Sequence, residues 1–306
     1  MTGSTSYEVA AAYMTERLRS VLLSVPQSAR ERLTEIRLRS GRSVSMVYPD
    51  RIRYLTAEGV IAEKPGTDCV AVTSEEISSI VNALCRYSVH SCSRELREGY
   101  FMLENGVRVG VAGTASETAE RTLRDISSLN FRISRCVIGC AEAVAERVGT
   151  DSGVLICGGV NSGKTTVLRD LCRIFSDHRK CVLIDERNEI SATVAGTPTN
   201  DVGLNTDVLV GTSRADGVIS AIRTLSPDFV FCDEISSSED ASAIIQGHGC
   251  GVQFVATVHA GSYDELMCRR VAAELIDAGV FRYAVILAGA QAPGKVAEIR
   301  RLSHAS

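Results

Sequence analysis

Apolar side chains recur at helical spacing over residues 7–24, and the pattern stops at Pro26. Residues 35–39 (EIRLR) alternate charged and apolar, as a half-buried strand does, and Gly41 turns the chain toward a second strand over 43–48. Thr73 and Glu76 form a capping box in front of Ile77, Ile80, Val81 and Leu84, which predicts a second helix. Between the strand-like runs around 100–112 stands Asn105-Gly106, the pair favoured in a type I′ hairpin. The segment 128–135 (SLNFRISR) alternates again; Arg132 shares a face with Asn130 and Ser134, and Phe131, Ile133 and Arg135 take the other. Residues 139–147 read as a helix and 149–153 as a polar hinge. Beyond it, apolar runs at 154–157, 181–184, 229–232, 252–258 and 283–287 alternate with helical patterns, the signature of a parallel sheet with crossover helices. Residues 193–213 read as a long Gly/Thr/Asp-rich loop.

These patterns predict an α/β chain of two domains. Residues 1–140 form a smaller α+β domain, and residues 141–306 form a larger one with a mainly parallel sheet. The apolar fraction of 45% and charged fraction of 23% are those of a globular protein. Net charge is −4, and residues 1–140 hold 18 basic against 16 acidic side chains, so no basic field points to nucleic acid. No apolar run approaches the roughly 18 residues of a membrane span, and the N-terminus lacks the pattern of a signal peptide. A cytoplasmic protein is expected. The eleven cysteines contain no C-x-x-C pair. His248, Cys250 and His259 complete no zinc-ligand spacing, so buried free thiols and no structural zinc are expected.

The candidate chemistry begins where the apolar run at 154–157 breaks into Gly158-Gly-Val-Asn-Ser-Gly-Lys-Thr165, a G-x-x-x-x-G-K-T phosphate loop between a strand and a helix. Its backbone N–H groups, from Gly158 through Asn161, Ser162, Gly163 and Thr166, suit phosphate, as does the dipole of the following helix. Lys164 would reach the β- and γ-phosphates of ATP, and Thr165 would ligate Mg²⁺. The chain has only four lysines, and one stands here. The run at 229–232 ends in Asp233-Glu234, a Walker B pattern in which Asp233 serves Mg²⁺ and Glu234 the attacking water. Residues 182–184 lead into Asp185-Glu186, a second acidic strand end; a water-aligning acid or a turn cap both fit it. His259, ending another strand, is a candidate γ-phosphate sensor. Arg94, Arg108, Arg132, Arg135, Arg214 and Arg223 are candidates to complete the site, with Arg132 and Arg135 favoured because they precede the hinge.

Eight segments resemble, in order from about residue 33 to 302, the stage III sporulation protein AA family. They are TEIRLRSGR (34–42), NGVRVG (105–110), SLNFRISR (128–135), SGKTTVLRD (162–170), DERNEI (185–190), TDVL (206–209), IRTLSPD (222–228) and TVHA (257–260). That family is similar to the ATPases of type II and type IV secretion. The resemblance implies a RecA-like P-loop ATPase domain behind a smaller N-terminal domain, a hexameric ring, and nucleotide held between the domains. It also implies a motor in the mother cell of a spore former, peripherally associated with a membrane channel complex. Carried over by position, the relatives' acidic box falls on Asp185 and Glu186, their His box on His259, and their nucleotide-contacting arginines on Arg132 and Arg135. Two departures stand out: the relatives' Glu-Asp-Pro is Asp185-Glu186-Arg187 here, leaving either acid as the one nearest the γ-phosphate, and their Gly-Glu is Asp233-Glu234. A nucleic-acid-stimulated RecA-like ATPase and a nucleotide-dependent adaptor with little turnover are the alternative readings.

Overall fold

A computed structural model of the chain describes residues 5–86, 92–115, 123–134 and 137–302. The chain divides into two compact units, Met1–Arg135 and Cys136–Ser306.

In the first unit the strands are β1 (Glu35–Arg39), β2 (Ser45–Val47), β3 (Ile52–Leu55), β4 (Ile61–Ala62), β5 (Tyr100–Met102), β6 (Arg108–Ala115) and β7 (Leu123–Arg132). They form one sheet, ordered β4-β3-β2-β1-β7-β6-β5, in which each neighbouring pair is antiparallel. Ile36 lies opposite Phe131 and Leu38 opposite Leu129, so the period of two sends these apolar side chains to one face. That face is buried with side chains of α1 (Ser6–Ala12), α2 (Glu16–Ser24) and α4 (Ser74–Leu84); α3 (Gln27–Arg30) and α5 (Ser93–Glu98) complete the helices.

The expected helix over 7–24 is broken in two. The Arg19 guanidinium donates to the carbonyls of Ala11 (3.2 Å), Ala12 and Met14 (3.2 Å), ending α1, while the Thr15 hydroxyl donates to Glu76 instead of capping α2. The hairpin forms between β5 and β6, with Asn105 (φ +54°) and Gly106 (φ +70°) both left-handed. Its loop includes Glu104 as well, and the Leu103 N–H closes it on the Val107 carbonyl at 2.8 Å.

The second unit contains β8 (Val154–Cys157), β9 (Cys181–Asp185), β10 (Thr206–Val210), β11 (Phe229–Cys232), β12 (Gln253–Val258), β13 (Tyr283–Leu287) and β14 (Val296–Arg301). The sheet order is β10-β9-β11-β12-β8-β13-β14, parallel throughout except for β14. Two buried clusters share the sheet: Val154, Ile156, Leu183, Phe229 and Phe231 join one, and Leu155, Cys157, Val182, Val230 and Cys232 the other. Burial on both faces is why these strands read as continuous apolar runs. Side chains of α6 (Glu142–Val148) and α7 (Lys164–Ser176) belong to the first cluster; those of α8 (Arg214–Thr224), α9 (Ser238–Gly249), α10 (Tyr263–Met267) and α11 (Arg270–Asp277) belong to the second. Phe175 of α7 meets Phe229 and Phe231 edge-on at 5.1 and 5.9 Å, each contact worth roughly 0.5–1.5 kcal/mol beyond burial.

Part of the stretch expected as loop, 193–213, is strand β10, and β14 was not foreseen. Both lie at sheet edges, where one side of the ladder faces solvent and the apolar signal thins.

Candidate active site in the second unit

Because the inner strands run parallel, β8, β9, β11 and β12 bring their carboxyl ends to one edge. There the chain places the phosphate loop, Asp185-Glu186, Asp233-Glu234 and His259.

The loop leaves β8 at buried Gly158 and enters α7 at Lys164. Asn161 is exposed with φ +58°; Ser162 is buried and donates through Oγ to the Gly159 carbonyl at 2.8 Å. Gly163 is the position at which only glycine fits. Its φ is +89°, and a Cβ there would stand 2.4 Å from the Gly294 nitrogen, which donates to the Ser162 carbonyl at 2.8 Å. Lys164 Nζ donates to the carbonyls of Gly158 and Gly159, each at 2.9 Å, so the ammonium lies along the loop it serves. Half-buried Thr166 follows in the first turn of α7, and its carbonyl accepts a weak contact from Cys140 Sγ.

Asp233 is the point at which three elements meet. Its Oδ2 accepts from Thr165 Oγ1 at 2.8 Å, and its Oδ1 accepts from Thr257 Oγ1 of β12. The Thr257 hydroxyl in turn accepts the N–H of Glu234 at 2.8 Å. Glu234 has a left-handed backbone (φ +51°) and an exposed side chain beside this arrangement. The thiols next to the motifs are inert: burial pushes Cys157 up to about 12, against the opposing pull of Lys164, and burial does the same to Cys232.

The two acids at the end of β9 divide their work. Asp185, 2% exposed, accepts the N–H groups of Glu189 (2.9 Å), Ile190 (3.1 Å) and Ser191 (2.8 Å) and the Ser191 hydroxyl (2.7 Å). These bonds are those of a turn cap, and the residue also lines the pocket that Glu186, Asp233 and Glu234 share. Glu186 is exposed and pairs with Arg214 at 3.1 Å. A small pocket is lined by Asp185, Glu186, Arg187, Arg214, Asp233 and Glu234, among others. His259 is half-buried one residue beyond β12. Arg132 is exposed at the end of β7 in the first unit; Arg135 lies outside the described residues, as does the Arg94 side chain.

Two residues that the sequence reading undervalued are Thr257 and Arg214. The signal for Thr257 was a hydroxyl inside an otherwise apolar strand; Arg214 was one of 29 arginines. Among the described residues no three His, Cys, Asp or Glu side chains converge as metal ligands, and no helix is long and apolar enough to cross a membrane.

The Legionella pneumophila ATPase DotB is similar with a TM-score of 0.56 at 15% identity, over 94% of this chain and 77% of that one. The pilus retraction motor PilT, whose structure carries bound ADP, gives 0.57 at 14% identity, over 85% and 76%. At such identities the likeness establishes the fold, a RecA-like P-loop domain preceded by a smaller α+β domain. The family model for sporulation stage III, protein AA matches residues 7–303. Stage III sporulation protein AA of Bacillus subtilis (strain 168) is 31% identical over 299 residues, 94% of this chain and 93% of that protein. The chain belongs to the stage III sporulation protein AA family.

Proposed function

We propose that this protein is an ATP-hydrolysing motor of a sporulation-associated secretion or channel complex, assembled as a hexameric ring. The observation that carries the reading is the Thr165–Asp233–Thr257–Glu234 chain, which joins phosphate loop, Walker B acid and adjacent strand beside an exposed carboxylate. The loop N–H groups and the N-terminus of α7 hold the phosphates, and Lys164 moves from the loop carbonyls to the β- and γ-phosphate oxygens. Thr165 and Asp233 offer hard oxygen donors and little else, which suits Mg²⁺, an ion that keeps waters and takes phosphate oxygens as ligands. Bound there, Mg²⁺ would offset the charge that grows on the transferred phosphoryl group.

Glu234 orients and deprotonates the attacking water, Glu186 stands as the second acid, Asp185 holds the turn that carries it, and His259 reads the γ-phosphate. Arg132 and Arg135 contact nucleotide. The membership of the family supports a place in the mother cell, on the cytoplasmic side of a membrane channel complex, with no nucleic acid as substrate.

Two variants test the site through phosphate release and binding of a fluorescent ATP analogue. Lys164→Ala abolishes turnover with the melting curve unchanged. Glu234→Gln still binds ATP but loses about 10²–10⁴-fold in kcat, the usual cost of removing a general base. Turnover unchanged in either variant removes the role given to that residue.

A further inference from the structure

Arg214 opens α8, and its guanidinium joins groups from three elements. Its Nε donates to the carbonyl oxygen of Asp233 at 2.5 Å, and its Nη1 lies 3.1 Å from Glu186 Oε2 and 3.8 Å from Asp240 Oδ2. The side chain is only 16% exposed, and that of Asp240 only 6%. A cation in the first turn of a helix opposes the helix dipole, so the position is unfavourable for α8 itself. Its contacts lie instead at the ends of β9 and β11 and at the start of α9, where Asp240 also accepts the N–H groups of Ser236 and Ser237.

We propose that Arg214 is a positioning residue for hydrolysis, acting through Glu234 and Glu186. The carbonyl it holds belongs to the residue before Glu234, whose left-handed backbone (φ +51°) is a strained conformation that L residues keep only under constraint. Fixing that carbonyl fixes the direction in which the Glu234 side chain leaves the strand. The same guanidinium stands against Glu186 and sets its place in the shared pocket. A planar fork can serve a carbonyl and a carboxylate together; an ammonium on a flexible stem cannot hold both in register. Arg214 therefore acts within its own chain, a role different from that of an arginine offered to nucleotide by another domain or subunit.

The inference rests on the proposed ATP hydrolysis, and the experiment separates the two. Steady-state turnover, ATP affinity and melting temperature are measured on the full chain for wild type, Arg214→Ala, Arg214→Lys, Glu186→Gln and Arg214→Ala/Glu186→Gln. Arg214→Ala is expected to lose about 100-fold in kcat, the scale of a 1 Å misplacement, with KM for ATP within about twofold. Arg214→Lys is expected to recover less than about a tenth of wild-type kcat while melting as wild type does. The Arg214→Ala penalty is expected to be smaller in the Glu186→Gln background, because the two residues act on one step. Unchanged kcat in Arg214→Ala overturns the inference. So does a penalty that is equal in both backgrounds and accompanied by weaker ATP binding and a lower melting temperature, which marks a structural staple. If Arg214→Ala does not fold, the kcat against KM split of Arg214→Lys decides. A wild type that binds ATP without turnover overturns the hydrolytic reading itself.

Discussion

Asp185 is a residue of the expected type in the expected place whose carboxylate is also held by a turn. A buried carboxylate that receives three N–H groups and one O–H has its lone pairs committed to the 189–191 turn. Asparagine presents one accepting oxygen and turns an NH₂ toward donors, so Asp185→Asn should cost on the order of 2–3 kcal/mol of stability. Glu186→Gln, at an exposed carboxylate, should leave stability within about 0.5 kcal/mol. Urea unfolding of the nucleotide-free protein compares them, and equal midpoints would show that the Asp185 bonds carry little. The sequence placed both acids at the end of a strand, since apolar runs and their polar ends are local signals. It did not divide their labour, because that depends on which N–H groups curl back onto the strand end. The roles of Thr257 and Arg214 were illegible for a related reason: each arises through partners at least 19 positions away in the chain.

At the scale of elements, the capping box on α4 was legible because it is written within four residues. Thr73 Oγ1 accepts the Glu76 N–H at 3.2 Å, and Glu76 accepts the Thr73 N–H at 3.1 Å. The structure adds Arg17, whose Nη2 lies 2.6 Å from the same carboxylate, and Thr15. Burial opposes ionisation of Glu76, but Arg17, the Thr73 N–H and the Thr15 hydroxyl together outweigh it, and the carboxyl is held below its ordinary value. A carboxyl depressed in the folded state stabilises the fold above its unfolded pKa, and that stabilisation is lost as pH falls through the folded value. Glu76→Gln, which keeps the cap geometry and removes the charge, should therefore cost about 0.5–1 kcal/mol at pH 7. The gap to wild type should hold down to about pH 5 and close below about pH 4.5. A gap that widens in acid would contradict the assignment. The break between α1 and α2, by contrast, follows from Arg19 folding back on carbonyls, which helical periodicity does not record. Edge strands β10 and β14 escaped for the opposite reason, their alternation being diluted by exposed Asp207, Glu298 and Arg300.

At the scale of the whole molecule, the two units keep separate cores: the buried clusters of one share no residue with those of the other. Each unit thus has the means to hold its own shape, while the chemistry proposed here draws on both, with the loop and acids in the second and Arg132 in the first. Exposed Leu204 (92%), Val160 (68%) and Ile138 (63%) are apolar side chains for which subunit packing would provide cover. If ATP lies where subunits close on it, nucleotide binding and assembly are linked, and each strengthens the other by mass action. Light scattering coupled to size exclusion should then find more of the ring with a non-hydrolysable ATP analogue than without it. A ring of six copies of the 32.8 kDa chain has a mass of roughly 200 kDa. Lys164→Ala, which loses the phosphate contact, should lose the nucleotide-driven part of that shift while keeping any assembly that the surfaces support alone. A chain that stays at 32.8 kDa at high protein concentration and saturating analogue would rule out the ring and confine any hydrolysis to single copies.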